Sequence, residues 1–206
     1  MDGKKVSDSA KLLVLLGSPH KNGTTKALAG ELVRGAQEAL VPVQTKELYV
    51  PGLRISPCLG CGTCQKNGGQ CVFKDDMEEV KQLIREADII AFVSPLYYFG
   101  FTAQLKAVLD RFFSFNKEMR AAGKKAVLLA AGADSDDWAM DGVRAHYETL
   151  LRYLNWESAG EVLALGCAAP GALAETGCLQ AAYELGTQLA KSENHQNKRQ
   201  KTTGMI

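Results

Sequence analysis

The 206-residue sequence lacks a long apolar run, a charge excess of either sign and an abundance of histidine. Its longest hydrophobic stretches fall far short of the roughly 20 residues that cross a bilayer, and residues 1–10 are polar rather than signal-like. A cytoplasmic protein without a membrane partner is expected. A net charge of +1 gives no electrostatic reason to expect nucleic acid. With only three histidines, acid–base chemistry has few candidate groups. Internal repeats and interdomain linkers are also missing, while 46% apolar residues suffice for one sizeable core. The expectation is a single domain over residues 1–190, followed by a polar, disordered tail over 191–206.

Two familiar nucleotide loops are absent as well. Gly17 and Gly23 are six positions apart and Thr24 follows where a Walker loop needs lysine, and no G-x-G-x-x-G occurs. Kinase-type ATP binding and a tightly held dinucleotide are therefore not expected at this loop.

What is present begins at Leu12–Leu16, an unbroken apolar run that reads as a buried strand. It leads into Gly17-Ser18-Pro19-His20-Lys21-Asn22-Gly23-Thr24-Thr25 and then a helical pattern through Leu28, Leu32 and Ala36. Hydroxyl and amide donors at a helix start, where backbone N–H groups are unpaired, suit a phosphate monoester. The ordinary alternative is a strand-to-helix turn with an N-cap.

Further strand signals lie at Val43–Tyr49, Ile89–Ser94, Ala126–Ala130 and Glu161–Leu165, alternating with helical patterns. Asp75 followed by Glu78 reads as a capping box. Alternation of this kind predicts an α/β fold: a five-stranded parallel sheet with helices on both faces and a site at the strands' carboxyl ends, after the first, third and fourth strands. After the third strand comes Ser94-Pro95-Leu96-Tyr97-Tyr98-Phe99-Gly100-Phe101, rich in aromatics that can border a flat ring. Phe101, and to a lesser degree Tyr98, would pack on the following helix instead. A phosphate loop joined to a ring loop fits flavin mononucleotide.

Cys58, Cys61, Cys64 and Cys71 form C-x2-C-x2-C-x6-C in a glycine-rich connection. The opening spacings match cluster ligands of the ferredoxin type; zinc, free thiols and reversible oxidation are the alternatives, and a structural disulfide is disfavoured in a cytoplasmic setting. Cys167 and Cys178 read as small core residues without a role. His146 reads as a surface or packing residue, and Trp138 as a buried tryptophan opening the fourth large helix.

The motifs at residues 17–25, Asp75-Asp76-Met77, Ala87-Asp88, Ser94–Tyr98, Leu105-Lys106 and Asp110-Arg111 resemble the flavodoxin-fold NAD(P)H-dependent FMN reductase family, in the branch that includes the iron–sulfur flavoproteins. The resemblance spans roughly residues 11–115 and weakens beyond Leu150. It implies a flavodoxin-like fold, bound FMN, NAD(P)H as co-substrate, a small electron acceptor such as a flavin or quinone, and a homodimer or homotetramer. Ser18, His20, Asn22, Gly23, Thr24 and Thr25 would hold the phosphate. Pro95, Leu96, Tyr97, Tyr98 and Phe99 would take the isoalloxazine, with the loop 131–135, Gly132 included, completing the pocket. No side chain is expected to be catalytic, since the flavin carries the chemistry. If the four cysteines bind a [4Fe-4S] cluster, the alternative is an electron carrier served by a ferredoxin.

Overall fold

The computed structural model describes residues 9–41 and 43–189, so the expected tail over 191–206 lies outside the described residues. Five parallel strands, β1 (Lys11–Leu16), β2 (Gln44–Tyr49), β3 (Ile89–Pro95), β4 (Lys125–Ala131) and β5 (Glu157–Ala164), stand in the order β2-β1-β3-β4-β5. Among the described residues seven α-helices accompany them: α1 (Thr24–Glu38), the short α2 (Thr63–Lys66), α3 (Met77–Glu86), α4 (Ala103–Arg111), α5 (Asn116–Ala121), α6 (Asp141–Leu154) and α7 (residues 178–189). This is the flavodoxin-like order, with its switch point between β1 and β3.

The strand pleat explains the layering. Leu12, Val14 and Leu16 of β1 join Ile89, Ala91 and Val93 of β3 on one face, against Leu28 and Leu32 of α1 and Leu185 of α7. Leu13, Leu15, Ile90 and Phe92 turn to the other face, against Met77, Val80 and Ile84 of α3, Leu105 of α4 and Tyr147 of α6. Alternate residues point to opposite faces, so a strand apolar at every position must be covered twice.

Two expectations are corrected. β5 starts at Glu157 rather than Glu161, because its first half is polar or small and pairs with β4 through a register shift at Ala126/Val127, opposite Gly160. The capping box is not formed: Asp76 occupies the N-cap without a capping side-chain bond, its carboxylate accepting from the Arg54 N–H at 2.7 Å. The Asp75 carboxylate accepts from the Met77 N–H at 3.3 Å but chiefly faces Arg111, accepting from both Nη atoms at 2.8 and 3.1 Å and from the Ser56 N–H at 2.9 Å. Arg111 also donates to the Ser56 carbonyl at 2.9 Å, so this one guanidinium clasps both ends of the cysteine-bearing connection. Burial pushes the Asp75 carboxyl up, but the bond to Arg111 and those from the backbone outweigh it and hold the group below the usual carboxylate range.

Candidate functional site

The loops after β1, β3, β4 and β5 enclose a cleft of about 580 Å³ at the carboxyl edge of the sheet. The first loop is fixed where it leaves β1: the Gly17 N–H donates to the Val93 carbonyl at 2.7 Å, and the Thr102 hydroxyl to the Gly17 carbonyl at 2.8 Å. It then folds on itself, with the His20 N–H bonded to Ser18 Oγ at 3.1 Å and the Gly23 N–H to the His20 carbonyl at 3.2 Å. Gly23 caps α1 without a side-chain hydrogen bond, which leaves the donors of the first helical turn to the cleft. Of the expected phosphate ligands, Ser18, His20, Asn22, Gly23, Thr24 and Thr25 all line it.

The opposite end is stitched loop to loop. The Leu96 N–H donates to the Ala131 carbonyl at 2.8 Å, the Gly132 N–H to Ala164 at 2.9 Å, and the Cys167 N–H to Gly132 at 2.7 Å. This chain of bonds sets Pro95, Leu96, Tyr97, Ala131, Gly132 and Ala133 as the wall that faces a flat ligand. Tyr98 and Phe99 do not line the cleft. They occupy the two central positions of a tight reversal in which Tyr97 and Gly100 exchange both backbone hydrogen bonds, at 3.1 and 3.2 Å. Both have left-handed backbones, φ 45° and 63°. Tyr98 is fully exposed rather than packed on α4, while Phe99 lies against Trp138 with ring centroids 5.0 Å apart. Trp138, expected to be buried, is 55% exposed, because it sits in the polar run 133–138 that leaves the sheet. Phe101 packs inward as expected, beside Phe92 and His146.

Sequence reasoning missed the fifth loop. Cys167, Ala168 and Ala169 line the cleft, and the Thr24 hydroxyl reaches the Cys167 carbonyl at 3.4 Å. Burial pushes the Cys167 thiol up, so it stays protonated and apolar at neutral pH. Lys21, also on the cleft, is the one Lys, Arg, Asp or Glu among its lining residues, and its ammonium stands 5.1 Å over the Tyr49 ring. Tyr49 in turn donates to the Pro19 carbonyl at 2.9 Å. Residue 49 ends the neighbouring strand, so only the sheet order could have joined it to this loop.

The cleft fits FMN: uncapped N–H groups, hydroxyls and one cation at one end suit a phosphate, and an apolar, backbone-rich wall at the other suits a planar ring. A cluster does not fit the present arrangement of the cysteines. Cys58 and Cys61 are exposed, Cys64 and Cys71 half-buried, and all are free. Among the described residues no group of three or more His, Cys, Asp or Glu is gathered as a metal requires.

The profile of the NADPH-dependent FMN reductase family matches residues 10–169. The chain belongs to that family. An iron–sulfur flavoprotein of Archaeoglobus fulgidus is 28% identical over 184 residues, 88% of this chain and 80% of that protein. Another from Methanocaldococcus jannaschii is 32% identical over 123 residues, and the match spans 62% of its length. Among solved structures, the NAD(P)H:quinone oxidoreductase from Methanothermobacter marburgensis superposes with a TM-score of 0.68 at 20% identity, covering 88% of this chain and 96% of that one. At that identity the likeness is one of fold. Membership makes the chain a flavodoxin-like oxidoreductase, and no helix among the described residues is long and apolar enough to cross a membrane.

Proposed function

We propose that the chain is a cytoplasmic, FMN-dependent NAD(P)H oxidoreductase, a homodimer or homotetramer, that reduces a small acceptor such as a flavin or quinone. The net reaction is NAD(P)H + H⁺ + acceptor giving NAD(P)⁺ + reduced acceptor. The observation that carries this reading is the single cleft with a phosphate end and a ring end, each built from the loop its residue types suggest. When bound, FMN supplies the hydride acceptance and onward electron donation.

The protein's part is to hold and orient. Thr24, Thr25, Ser18 and the first-turn N–H groups bind the phosphate, and Lys21 offsets its charge. Leu96 and Tyr97 fix the ring plane. On the 132–133 loop the Gly132 N–H is already bonded to the Ala164 carbonyl, so the Ala133 N–H is the backbone donor that would stabilise negative charge on the ring's polar edge. Proton exchange with solvent needs no dedicated side chain.

Calorimetry with FMN, followed by anaerobic NADPH addition, tests the proposal. Wild type should bind FMN and its visible absorbance should bleach within turnover time. Thr24→Val with Thr25→Val removes two charge-assisted bonds of about 1.5–3 kcal/mol each, so FMN affinity should fall at least a hundredfold. Unchanged affinity in the double variant would sink the phosphate assignment.

A second reading, an electron carrier taking electrons from a ferredoxin, is supported by the C-x2-C-x2-C-x6-C spacing and by the similarity to two iron–sulfur flavoproteins. It requires the connection between Ser56 and Asp75 to close on four thiolates. Iron with equimolar labile sulfide in anaerobically purified protein would replace the first reading with this one.

A further inference from the structure

We propose that Cys167 and Cys178 form a reversible disulfide at the base of the fifth loop, a modification site that takes hydrogen peroxide as its oxidant and slows the release of FMN. The inference goes beyond the oxidoreductase reading and rests on it only for a source of peroxide.

The loop returns to the edge it leaves. The Ala164 carbonyl accepts from the Gly132 N–H on the β4 side, so alternation along the strand turns the Leu163 and Leu165 carbonyls to the open edge of β5. Each has a thiol beside it: Cys167 Sγ donates to the Leu165 carbonyl at 3.2 Å, and Cys178 Sγ lies 4.0 Å from that of Leu163. Carbonyls two residues apart on a strand are separated by about 6.6 Å, so both sulfurs hang from successive acceptors of one edge. Between them the chain folds as a compact loop with its ends together. Leu173 is buried beneath it in the core, and the Thr176 N–H and hydroxyl both return to the Leu173 carbonyl.

The backbone holds both cysteines in place. Each follows a glycine in the left-handed region, Gly166 at φ 65° and Gly177 at φ 71°. A Cβ on Gly177 would meet nothing within 4 Å, so glycine serves the turn there and not the space.

The two thiols differ in access. Cys178 is half-buried and lies off the cleft, whereas Cys167 is 4% exposed. Burial, and then the neighbouring Cys178 sulfur, push the Cys167 thiol up. Cys178 therefore meets peroxide first: its sulfur bonds one oxygen, the O–O bond breaks, and water leaves a sulfenic acid behind. Cys167 attacks that sulfur; the S–S bond forms, the S–O bond breaks, and the hydroxyl departs as water with the Cys167 proton. Two thiols and one peroxide thus give one disulfide and two waters, the sulfurs together losing the electron pair that the peroxide gains. Peroxide arises at the adjoining cleft whenever dioxygen takes the electron pair in place of the acceptor, NAD(P)H + H⁺ + O₂ giving NAD(P)⁺ + H₂O₂. A thiol such as glutathione reopens the bond by exchange.

Closure acts on the cleft because Cys167 lines it and its carbonyl receives the Thr24 hydroxyl. A bond across the base of the loop removes local opening there and fixes the 167–169 wall against the first turn of α1. FMN leaving past that wall is retained.

The test uses the full chain loaded with FMN, treated with hydrogen peroxide or with NADPH in air, then alkylated and digested with trypsin. Residues 153–191 form one tryptic peptide that holds Cys167 and Cys178 and no other cysteine, so mass spectrometry reads their pairing apart from Cys58, Cys61, Cys64 and Cys71. Both treatments should leave this peptide unalkylated and short of two hydrogens, and dithiothreitol should restore both alkylation sites. FMN release, followed by flavin fluorescence on dilution, should slow several-fold on closure. Cys178→Ser should bind FMN as wild type does and release it at one rate with or without peroxide. Two alkylated thiols after peroxide, a cross-link from this peptide to any of the other four cysteines, or a release rate unchanged by closure would each overturn the proposal. So would a pair that stays open with NADPH in air although NADPH bleaches the flavin anaerobically. A flavin that NADPH does not bleach would instead refute the oxidoreductase reading, because added peroxide reports the pair without it.

Discussion

Arg111 shows how one buried charge organises a stretch that has little apolar content of its own. The guanidinium is 2% exposed and the Asp75 carboxylate 10%, its Nε has no hydrogen-bond partner, and it stands 5.3 Å from the Phe73 ring. Desolvation on that scale is tolerated only with the partner in place, and breaking a buried pair costs about 3–5 kcal/mol. Asp75→Asn should therefore lower the stability measured by urea denaturation at pH 7 by that amount. The pH dependence has a definite sign. Since the folded state holds the Asp75 carboxyl below its usual value, its contribution is present above about pH 4, the unfolded value, and is lost as pH falls through the folded pKa. Wild type should weaken below pH 4 more steeply than Asp75→Asn, and equal slopes would assign the acid limb to other groups. The sequence placed Asp75 in a capping box because local spacing is visible and a partner 36 residues away is not.

At the scale of elements, α1 and α7 meet closer than side chains allow. A Cβ at Gly35 would lie 2.0 Å from the Tyr183 carbonyl oxygen, and one at Gly186 would lie 2.2 Å from that of Leu32. Gly35→Ala would ordinarily gain about 1 kcal/mol of helix propensity, but the clash is with backbone and overpacking costs about 1–3 kcal/mol or more; a lower melting temperature is expected. Gly30, in the same helix, has nothing within 4 Å of a built Cβ. Gly30→Ala should raise the melting temperature, and a rise in both variants would mean the helices separate freely. Elements of this kind were largely legible in the sequence. The strands of β1, β3 and β4 are continuous apolar runs and the helices keep strong periodicity, so order and type follow from pattern alone. The first half of β5 was not legible, because Glu157, Ser158 and Gly160 at a sheet edge carry no strand signal. The phosphate loop was readable for the opposite reason: its donors are contiguous. Cys167 enters the site through the long-range hydrogen bond to Gly132, which no local pattern encodes, and the Tyr49 ring under Lys21 is supplied by the neighbouring strand.

For the molecule as a whole, the left-handed reversal at Tyr98 has a consequence for selection. A residue fully exposed to solvent at φ 45° packs against nothing that would compensate an unfavourable backbone, so stability is held below what the fold could reach. Asparagine tolerates that conformation far better. Tyr98→Asn should gain about 1 kcal/mol and, for a chain of this length, raise the melting temperature by roughly 2–4 °C, measurable by calorimetry; no rise would mean the turn relaxes without cost. Heat would therefore act on this protein as a chooser. Lineages or libraries screened only for survival at high temperature would lose this tyrosine early.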